Sequence, residues 1–216
     1  MALQGFIKSR AYLVGIDEYA APIRKLHTAV NDIKAIASCL PDFDNIAPPF
    51  QNPSVEDFKK ILGRIIEEVN DEANPADRVF IYFAGHGKVV YNKENTPKGY
   101  LLFKNRSGSD YDSCSFAIED LIKALVTLQC RHLLLVLDCC FSGVVQWAIN
   151  SRFTGHKDGL RITDPLYRLY TKNNAWQVIT SSSYNQETID SWGLGNRNAL
   201  DGETNSPFAG IFINAL

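Results

Sequence analysis

The chain of 216 residues carries a formal net charge of −2, and 45% of its residues are hydrophobic. That length supports one α/β domain with a full core, and the small charge gives no reason to expect nucleic acid or an anionic membrane as a partner. No apolar run approaches the ~18 residues of a membrane span. Five cysteines without a CxxC pair are typical of a reducing compartment. We therefore expect one cytoplasmic domain over residues 1–216, complete or as one piece of a longer multidomain protein.

Hydrophobic periodicity predicts strands and helices that alternate along most of the chain. In chain order they are a first core strand (Ala11–Ile16), a helix (Val30–Leu40), a short strand broken by two prolines (Asn45–Phe50) and a capped helix (Ser54–Val69). A second core strand (Asp77–Ala84), a short strand (Tyr100–Phe103) and a helix (Ile118–Val126) follow. The last elements are a third core strand (His132–Asp138), a further strand (Trp176–Ser181) and a last helix (Pro207–Leu216). Ser54 and Asp57 form a capping-box pattern. The alternation indicates a largely parallel sheet covered on both faces.

Two of the core strands end in residues that carry chemistry. Glycines flank His86 after the second core strand, and an acid and two cysteines follow the third: Gly85, His86 and Gly87, then Asp138, Cys139 and Cys140. Ligands bind at the carboxyl ends of strands in open α/β sheets, so we expect these groups to meet in one cleft. An imidazole can take the proton of a thiol and later protonate a leaving amine. The sequence therefore predicts a thiol nucleophile that acts with His86.

The residues alone leave several alternatives open. Successive residues that leave a strand point to opposite sides, so geometry places one of Cys139 and Cys140 in the cleft without choosing between them. We expect the backbone amides of Gly87 and Cys140 to face a developing oxyanion. Two plainer interpretations are core cysteines with a structural histidine, and a zinc site. Adjacent cysteines with no further ligand pair at finger spacing disfavour zinc.

Several segments together carry a resemblance to a known family. They are AYLVGIDEY, LHTAVND, VFIYFAGHG, KGYLLF and LLLVLDCCFSG, with looser matches in ITSSSYNQ and SPFAGIFINAL. In this order and spacing, the chain resembles the caspase-like cysteine peptidases of clan CD and is most similar to prokaryotic caspase homologues and metacaspases. A histidine about 50 residues before the nucleophilic cysteine is also the caspase spacing. The resemblance implies a three-layer α/β sandwich, with helices on both faces of a six-stranded, mostly parallel sheet.

The resemblance also implies an activity and its residues. It makes the protein an endopeptidase of protein or peptide substrates, with His86 as general base and acid. Cys140 matches the nucleophile, as the third residue of the family's Asp-x-Cys-x-Ser-Gly block, and forms a thioacyl-enzyme. Asp32 and Asp138 match an acidic pocket that receives the Arg or Lys after which metacaspases cut. The alternatives are a catalytically silent scaffold and a peptidase that cuts after Asp, which Lys25 at the position of a caspase arginine disfavours.

Regulation and cofactors are the remaining expectations. We expect no metal or other cofactor, since Glu119 and Asp120 are only a faint match to the acidic cluster that binds calcium in some metacaspases. Family members are often cut between the nucleophile block and the last strands. Ser151–Asn174, which is polar and basic, is therefore a candidate for autoprocessing, with a solvated surface as the plainer alternative. A regulatory sensor domain or partner protein is the other route to activation that the resemblance implies.

Overall fold

The computed structural model describes residues 8–71, 77–105, 111–140, 175–182 and 205–216. The strands of these residues are β1 (Ser9–Gly15), β2 (Asn45–Ile46), β3 (Phe50–Gln51), β4 (Arg78–Ala84), β5 (Gly87–Tyr91), β6 (Pro97–Leu102), β7 (Ser115–Ala117), β8 (His132–Asp138) and β9 (Ala175–Thr180). The helices are α1 (Ala29–Ser38), α2 (Val55–Val69), α3 (Ile118–Leu125) and α4 (Pro207–Ala215). None of the described helices is both long and apolar enough to cross a membrane.

The main sheet has six strands, and every pairing within it is parallel. The strand order is β2-β1-β4-β8-β9, and β3 also pairs with β1 beyond the end of β2. The central strand β4 pairs with β8 without a break from Arg78 opposite His132 to Ala84 opposite Asp138. The two strands therefore end level with each other, which places the residues that follow them side by side. The predicted six-stranded, mostly parallel sheet is confirmed.

The sheet is buried on both faces, because the apolar runs of its central strands supply side chains to each side. On one face Val79, Ile81 and Phe83 of β4 belong to the hydrophobic cluster that contains the apolar sides of α2 and α3. On the other face Phe80 and Tyr82 belong to the cluster that contains α1 and is covered by side chains of α4. The three-layer arrangement expected from the sequence is confirmed.

Two helices begin at serine caps whose surroundings differ. At the start of α2, Ser54 Oγ accepts the Asp57 N–H at 3.2 Å, and the Asp57 carboxylate accepts the Ser54 N–H at 3.3 Å, so the predicted capping box is present. Asp57 is exposed and Ser54 is partly exposed. At the start of α4, Ser206 Oγ accepts the Ala209 N–H at 3.1 Å, and Pro207 occupies the first helical position. Ser206 is buried, with only 4% of its surface exposed.

A second, antiparallel sheet of three strands, β5-β6-β7, lies beyond the main one and was not fully predicted. The sequence analysis predicted no strand between Ala84 and Tyr100, but Tyr91 and Pro97 pair with each other at the ends of β5 and β6. Between them the Asn92 side chain accepts the backbone N–H groups of Glu94 and Thr96, which closes a tight turn. The strand expected at Tyr100–Phe103 begins earlier, at Pro97. Short, partly exposed strands such as β5 depend on their pairing partners, so their own sequence predicts them weakly.

Candidate active site

His86, two residues beyond the end of β4, is held from two sides. Its backbone N–H donates to the Tyr19 hydroxyl at 2.9 Å, and the two rings lie 4.7 Å apart. Burial raises the pKa of Tyr19 well above its ordinary value, so this phenol keeps its proton and donates to the Leu102 carbonyl at 3.0 Å. His86 Nε2 lies 2.8 Å from the carbonyl oxygen of Arg24. Because a carbonyl only accepts, we assign the proton to Nε2, which leaves Nδ1 of the neutral ring as the basic atom.

The two cysteines at the end of β8 have different surroundings. Both line a pocket together with His86, but Cys139 is 1% exposed and belongs to the hydrophobic core, whereas Cys140 is partly exposed. Burial, with the nearby charge of Asp138, raises the pKa of the Cys139 thiol well above its ordinary value. A thiol held protonated in the core is a poor nucleophile. The geometry therefore favours Cys140 as the reacting cysteine.

The pocket is a small cavity of about 50 Å³ at the carboxyl edge of the main sheet. Side chains from α1, the loop after β4, the end of β8 and the start of α4 line it. Among them are His86, Cys140, Asp32 and Asp138, four of the five residues that the sequence predicted for the site. The volume is that of a side-chain tip rather than the ~300–1,000 Å³ of a typical small-molecule site.

Both carboxylates of the pocket are buried and hydrogen-bonded. Asp138 Oδ2 accepts the hydroxyls of Tyr82 and Ser206, each at 3.0 Å. Asp32 Oδ1 accepts the backbone N–H of Ser206 at 2.9 Å. Burial raises the pKa of Asp32 to about 7 against the lowering effect of the Ser206 amide, and the charge of Asp138 adds to the rise. The pocket therefore holds two acids whose combined charge is poorly solvated, an arrangement that favours a cation.

Gly87, the fifth predicted residue, marks where the loop after β4 touches the loop after β8. A Cβ atom at this position would overlap the carbonyl oxygen of Cys140 and come within 3.3 Å of the Cys139 Sγ. Only glycine allows this approach of the two backbones. The contact brings the Gly87 and Cys140 backbones together, and the role of their amides as an oxyanion hole stays a prediction.

The profile of the caspase-domain family matches residues 8–214, nearly the whole chain. The chain belongs to the caspase-domain family. The expected resemblance to caspase-like peptidases is thereby confirmed, while the match itself assigns no residue role and no specificity.

Solved structures agree on the caspase-domain fold. The chain is similar to protein GSU0716 from Geobacter sulfurreducens, with a TM-score of 0.59 and 15% identity over 97% of this chain and 83% of that one. It is also similar to caspase-1 from Spodoptera frugiperda, with a TM-score of 0.56 and 14% identity over 96% of this chain and 68% of that one. At these identities the likeness concerns the fold alone. No curated protein is close enough in sequence to match the chain.

Besides Tyr19, three contributors to this caspase-domain site were not predicted. Arg24 supplies a backbone carbonyl, which no side-chain pattern reveals. Tyr82 lies in the middle of a buried strand, where an aromatic residue indicates only packing. The Ser206-Pro207 pair marks a helix start, but its contact with Asp32 joins residues 174 positions apart, and no local pattern predicts such a contact.

The other residues singled out from the sequence lie away from the pocket or outside the described part of the chain. Glu119 and Asp120 at the start of α3 form ion pairs with Lys123 at 2.9 and 3.2 Å. Among the described residues no group of three or more His, Cys, Asp or Glu side chains is placed to hold a metal ion. Lys25 is exposed. The candidate autoprocessing segment, Ser151–Asn174, lies outside the described residues.

Proposed function

We propose that this caspase domain is a cysteine endopeptidase that cuts protein substrates after Arg or Lys. The observation that carries the proposal is the single pocket in which His86, Cys140 and the buried carboxylates of Asp32 and Asp138 come together. Family membership supports the coarser statement, a cysteine peptidase. The acidic pocket beside the thiol supports the finer one, since its charge selects the residue that precedes the cut.

In the proposed reaction His86 moves a proton twice. Nδ1 takes the proton of the Cys140 thiol, and the thiolate attacks the carbonyl carbon of the scissile bond. The backbone N–H groups of Gly87 and Cys140 bind the resulting oxyanion. The imidazolium gives its proton to the leaving amine, which breaks the C–N bond and leaves a thioacyl-enzyme. His86 then takes a proton from water, whose oxygen bonds to the thioacyl carbon. The C–S bond breaks, which releases the new carboxyl terminus, and the imidazolium returns its proton to the Cys140 sulfur.

The Arg24 carbonyl has a defined role in these proton transfers. It accepts the proton on His86 Nε2 at 2.8 Å and thereby fixes the ring orientation and the tautomer. When Nδ1 also gains a proton, the same carbonyl dipole stabilises the imidazolium. This positioning by a backbone acceptor corresponds to the part that a third side chain has in a Ser-His-Asp triad.

The acid pair accounts for the proposed specificity. A guanidinium or ammonium group that enters the pocket neutralises two poorly solvated carboxylates, and its binding favours the ionised form of Asp32, whose pKa lies at about 7 in the free protein. A substrate aspartate would instead bring a third negative charge to the same place. Like-charge contacts of this kind are strongly rejected.

A panel of fluorogenic peptides that differ only at the cleaved position tests the proposal. We expect kcat/KM for Arg and Lys peptides to exceed that for the Asp peptide by about 100-fold, the cost of a like-charge contact in a buried site. Preferred cleavage after Asp contradicts the pocket assignment. If no peptide is cut and a basic peptidyl electrophile does not alkylate Cys140, the domain is a catalytically silent scaffold.

The proposal also covers cofactors, autoprocessing and cellular location. We expect activity without a metal or other cofactor, so a calcium chelator should leave the cleavage rate unchanged. Autoprocessing within Ser151–Asn174 should yield a shortened N-terminal fragment from active protein and none from the Cys140→Ala variant. We place this activity in the cytoplasm, under a sensor domain or partner protein if no self-cleavage is found.

A further inference from the structure

Ser206 lies between the two acids of the pocket and bonds to both. Its backbone N–H donates to Asp32 Oδ1 at 2.9 Å, and its hydroxyl donates to Asp138 Oδ2 at 3.0 Å. The same hydroxyl oxygen accepts the Ala209 N–H at 3.1 Å. An amide N–H only donates and a carboxylate only accepts, so the direction of each bond is fixed. The hydroxyl uses its one proton and a lone pair, and the backbone donor is used as well.

These bonds exceed what a helix cap requires. A cap needs only an oxygen that accepts an N–H of the first turn, and Ser54 provides this at the start of α2, where its hydroxyl also donates to Asp57 of the same helix at 2.8 Å. Ser206 does the same for α4, and it also donates to Asp32 on α1 and to Asp138 on β8. The start of α4 points at two carboxylates, where the positive end of the helix dipole favours negative charge.

Hydrogen-bond donors allow the two buried acids to lie close together. Asp138 has a second hydroxyl donor, from Tyr82, on the same oxygen that Ser206 contacts. Burial raises the pKa of Tyr82 well above its ordinary value, so that phenol remains a donor. Asp32, on α1, also lines the pocket. Ser206, the N-cap residue of α4, bonds to both acids at once.

We propose that Ser206 is a positioning residue for substrate specificity: it holds the carboxylates of Asp32 and Asp138 in the arrangement that receives a cationic side chain. This inference rests on the proposed function, because it takes the two acids as the groups that recognise Arg or Lys. A preorganised acid pair binds a cation without first reorienting, and that advantage lies in substrate binding rather than in the bond-breaking step.

The test compares Ser206→Ala and Ser206→Gly with the matched cap variant Ser54→Ala. Glycine at a helix cap costs only a few tenths of a kcal/mol relative to serine, so Ser206→Gly removes the hydroxyl at little structural cost. We expect both Ser206 variants to raise KM for Arg and Lys peptides about tenfold with kcat within about twofold, which is the effect of losing a hydrogen bond to a charged group. Ser54→Ala should lower the melting temperature while leaving KM unchanged.

Alkylation rates of Cys140 distinguish a change in the acidic pocket from a change in the thiol itself. Iodoacetamide, which makes no use of the acidic pocket, should react equally with the wild type and the Ser206 variants, whereas a basic peptidyl electrophile should react more slowly with the variants. A folded Ser206→Gly protein with wild-type KM and wild-type preference for Arg overturns the positioning role and leaves the proposed function intact. If Ser206→Ala fails to fold, Ser206→Gly carries the comparison. A wild type without any preference for basic residues overturns both proposals.

Discussion

The side chains of the site differ mainly in their protonation, which their surroundings determine. Burial keeps Cys139 as a thiol and Tyr82 as a hydroxyl donor, and it raises the pKa of Asp32 to about 7. A backbone carbonyl fixes the proton of His86 on Nε2. The neighbouring Cys140, which lines the same pocket as Cys139, is partly exposed. Two adjacent cysteines thus acquire different chemistry from their surroundings alone.

Asp32 should make the protein less stable as the pH rises. Its pKa moves from 3.8 in the unfolded chain to about 7 in the folded one, so between these values the folded protein binds more protons. The free energy of unfolding therefore falls as pH rises from about 4 to about 7 and is flat above that range. In Asp32→Asn this fall should be absent, a relative gain at pH 8 over pH 4.5 of about 3 kcal/mol. Urea unfolding at the two pH values measures it.

Asp57 is the matched control for that experiment, because its pKa moves in the opposite direction. Hydrogen bonds from Ser54 lower the pKa of this exposed carboxyl, so any stability that it contributes is present at neutral pH and lost as the pH falls through the folded-state value. Asp57→Asn should leave the slope between pH 4.5 and pH 8 unchanged. An Asp32→Asn protein with the wild-type slope would contradict the burial of a protonated Asp32.

Residue patterns predicted, for a physical reason, that His86 and one of the two adjacent cysteines meet at the same edge of the sheet. Both follow apolar strands, and the ends of parallel strands share an edge. The same reasoning did not choose between Cys139 and Cys140, because alternation fixes that the two differ but not which one faces the cleft. The family motif made that choice. Ser206 remained undetected because its bonds to the acids depend on where a distant helix packs.

Elements place the site through the register of β4 and β8. Ala84 pairs with Asp138, so the turns after the two strands leave the sheet at the same level and touch at Gly87. Long, strongly apolar or strongly periodic elements such as β4, β8 and α2 were predicted close to their observed bounds. The short strands β5 and β7 were not, since much of their stability comes from pairing with β6 rather than from their own residues.

Gly87→Ala should damage the contact between the turns that follow β4 and β8. Its Cβ would overlap the Cys140 carbonyl, a backbone atom that cannot turn away as a side-chain tip can. We expect a loss of about 1–3 kcal/mol, as for other overpacking substitutions, together with slower alkylation of Cys140. Gly63→Ala on α2 is the control, because no atom lies within 4 Å of the added Cβ and alanine favours the helix by up to about 1 kcal/mol.

The two glycine variants should shift the melting temperature in opposite directions. Gly63→Ala should melt above the wild type, and Gly87→Ala below it. A Gly87→Ala protein as stable and as reactive as the wild type would mean that the turns after β4 and β8 do not touch as described.

The whole molecule assembles the pocket from distant parts of the chain. Asp32 comes from α1, His86 follows β4, Asp138 ends β8, and Ser206 precedes α4, so the pocket forms only when the helices of one layer dock on their face of the sheet. The family match over residues 8–214 agrees with this dependence on nearly the full chain. Activity should therefore be lost together with global unfolding.

The most direct test of the central claim, that Cys140 is the nucleophile served by His86, is cleavage of a basic fluorogenic peptide by Cys140→Ala and Cys139→Ala. Cys140→Ala should be folded and inactive, because the reacting thiol is gone while the core is untouched. Cys139→Ala should keep most of its activity and lose about 1 kcal/mol of stability, the cost of a small cavity in the core. A folded, active Cys140→Ala protein, or equal loss of activity in two folded variants, would contradict the account.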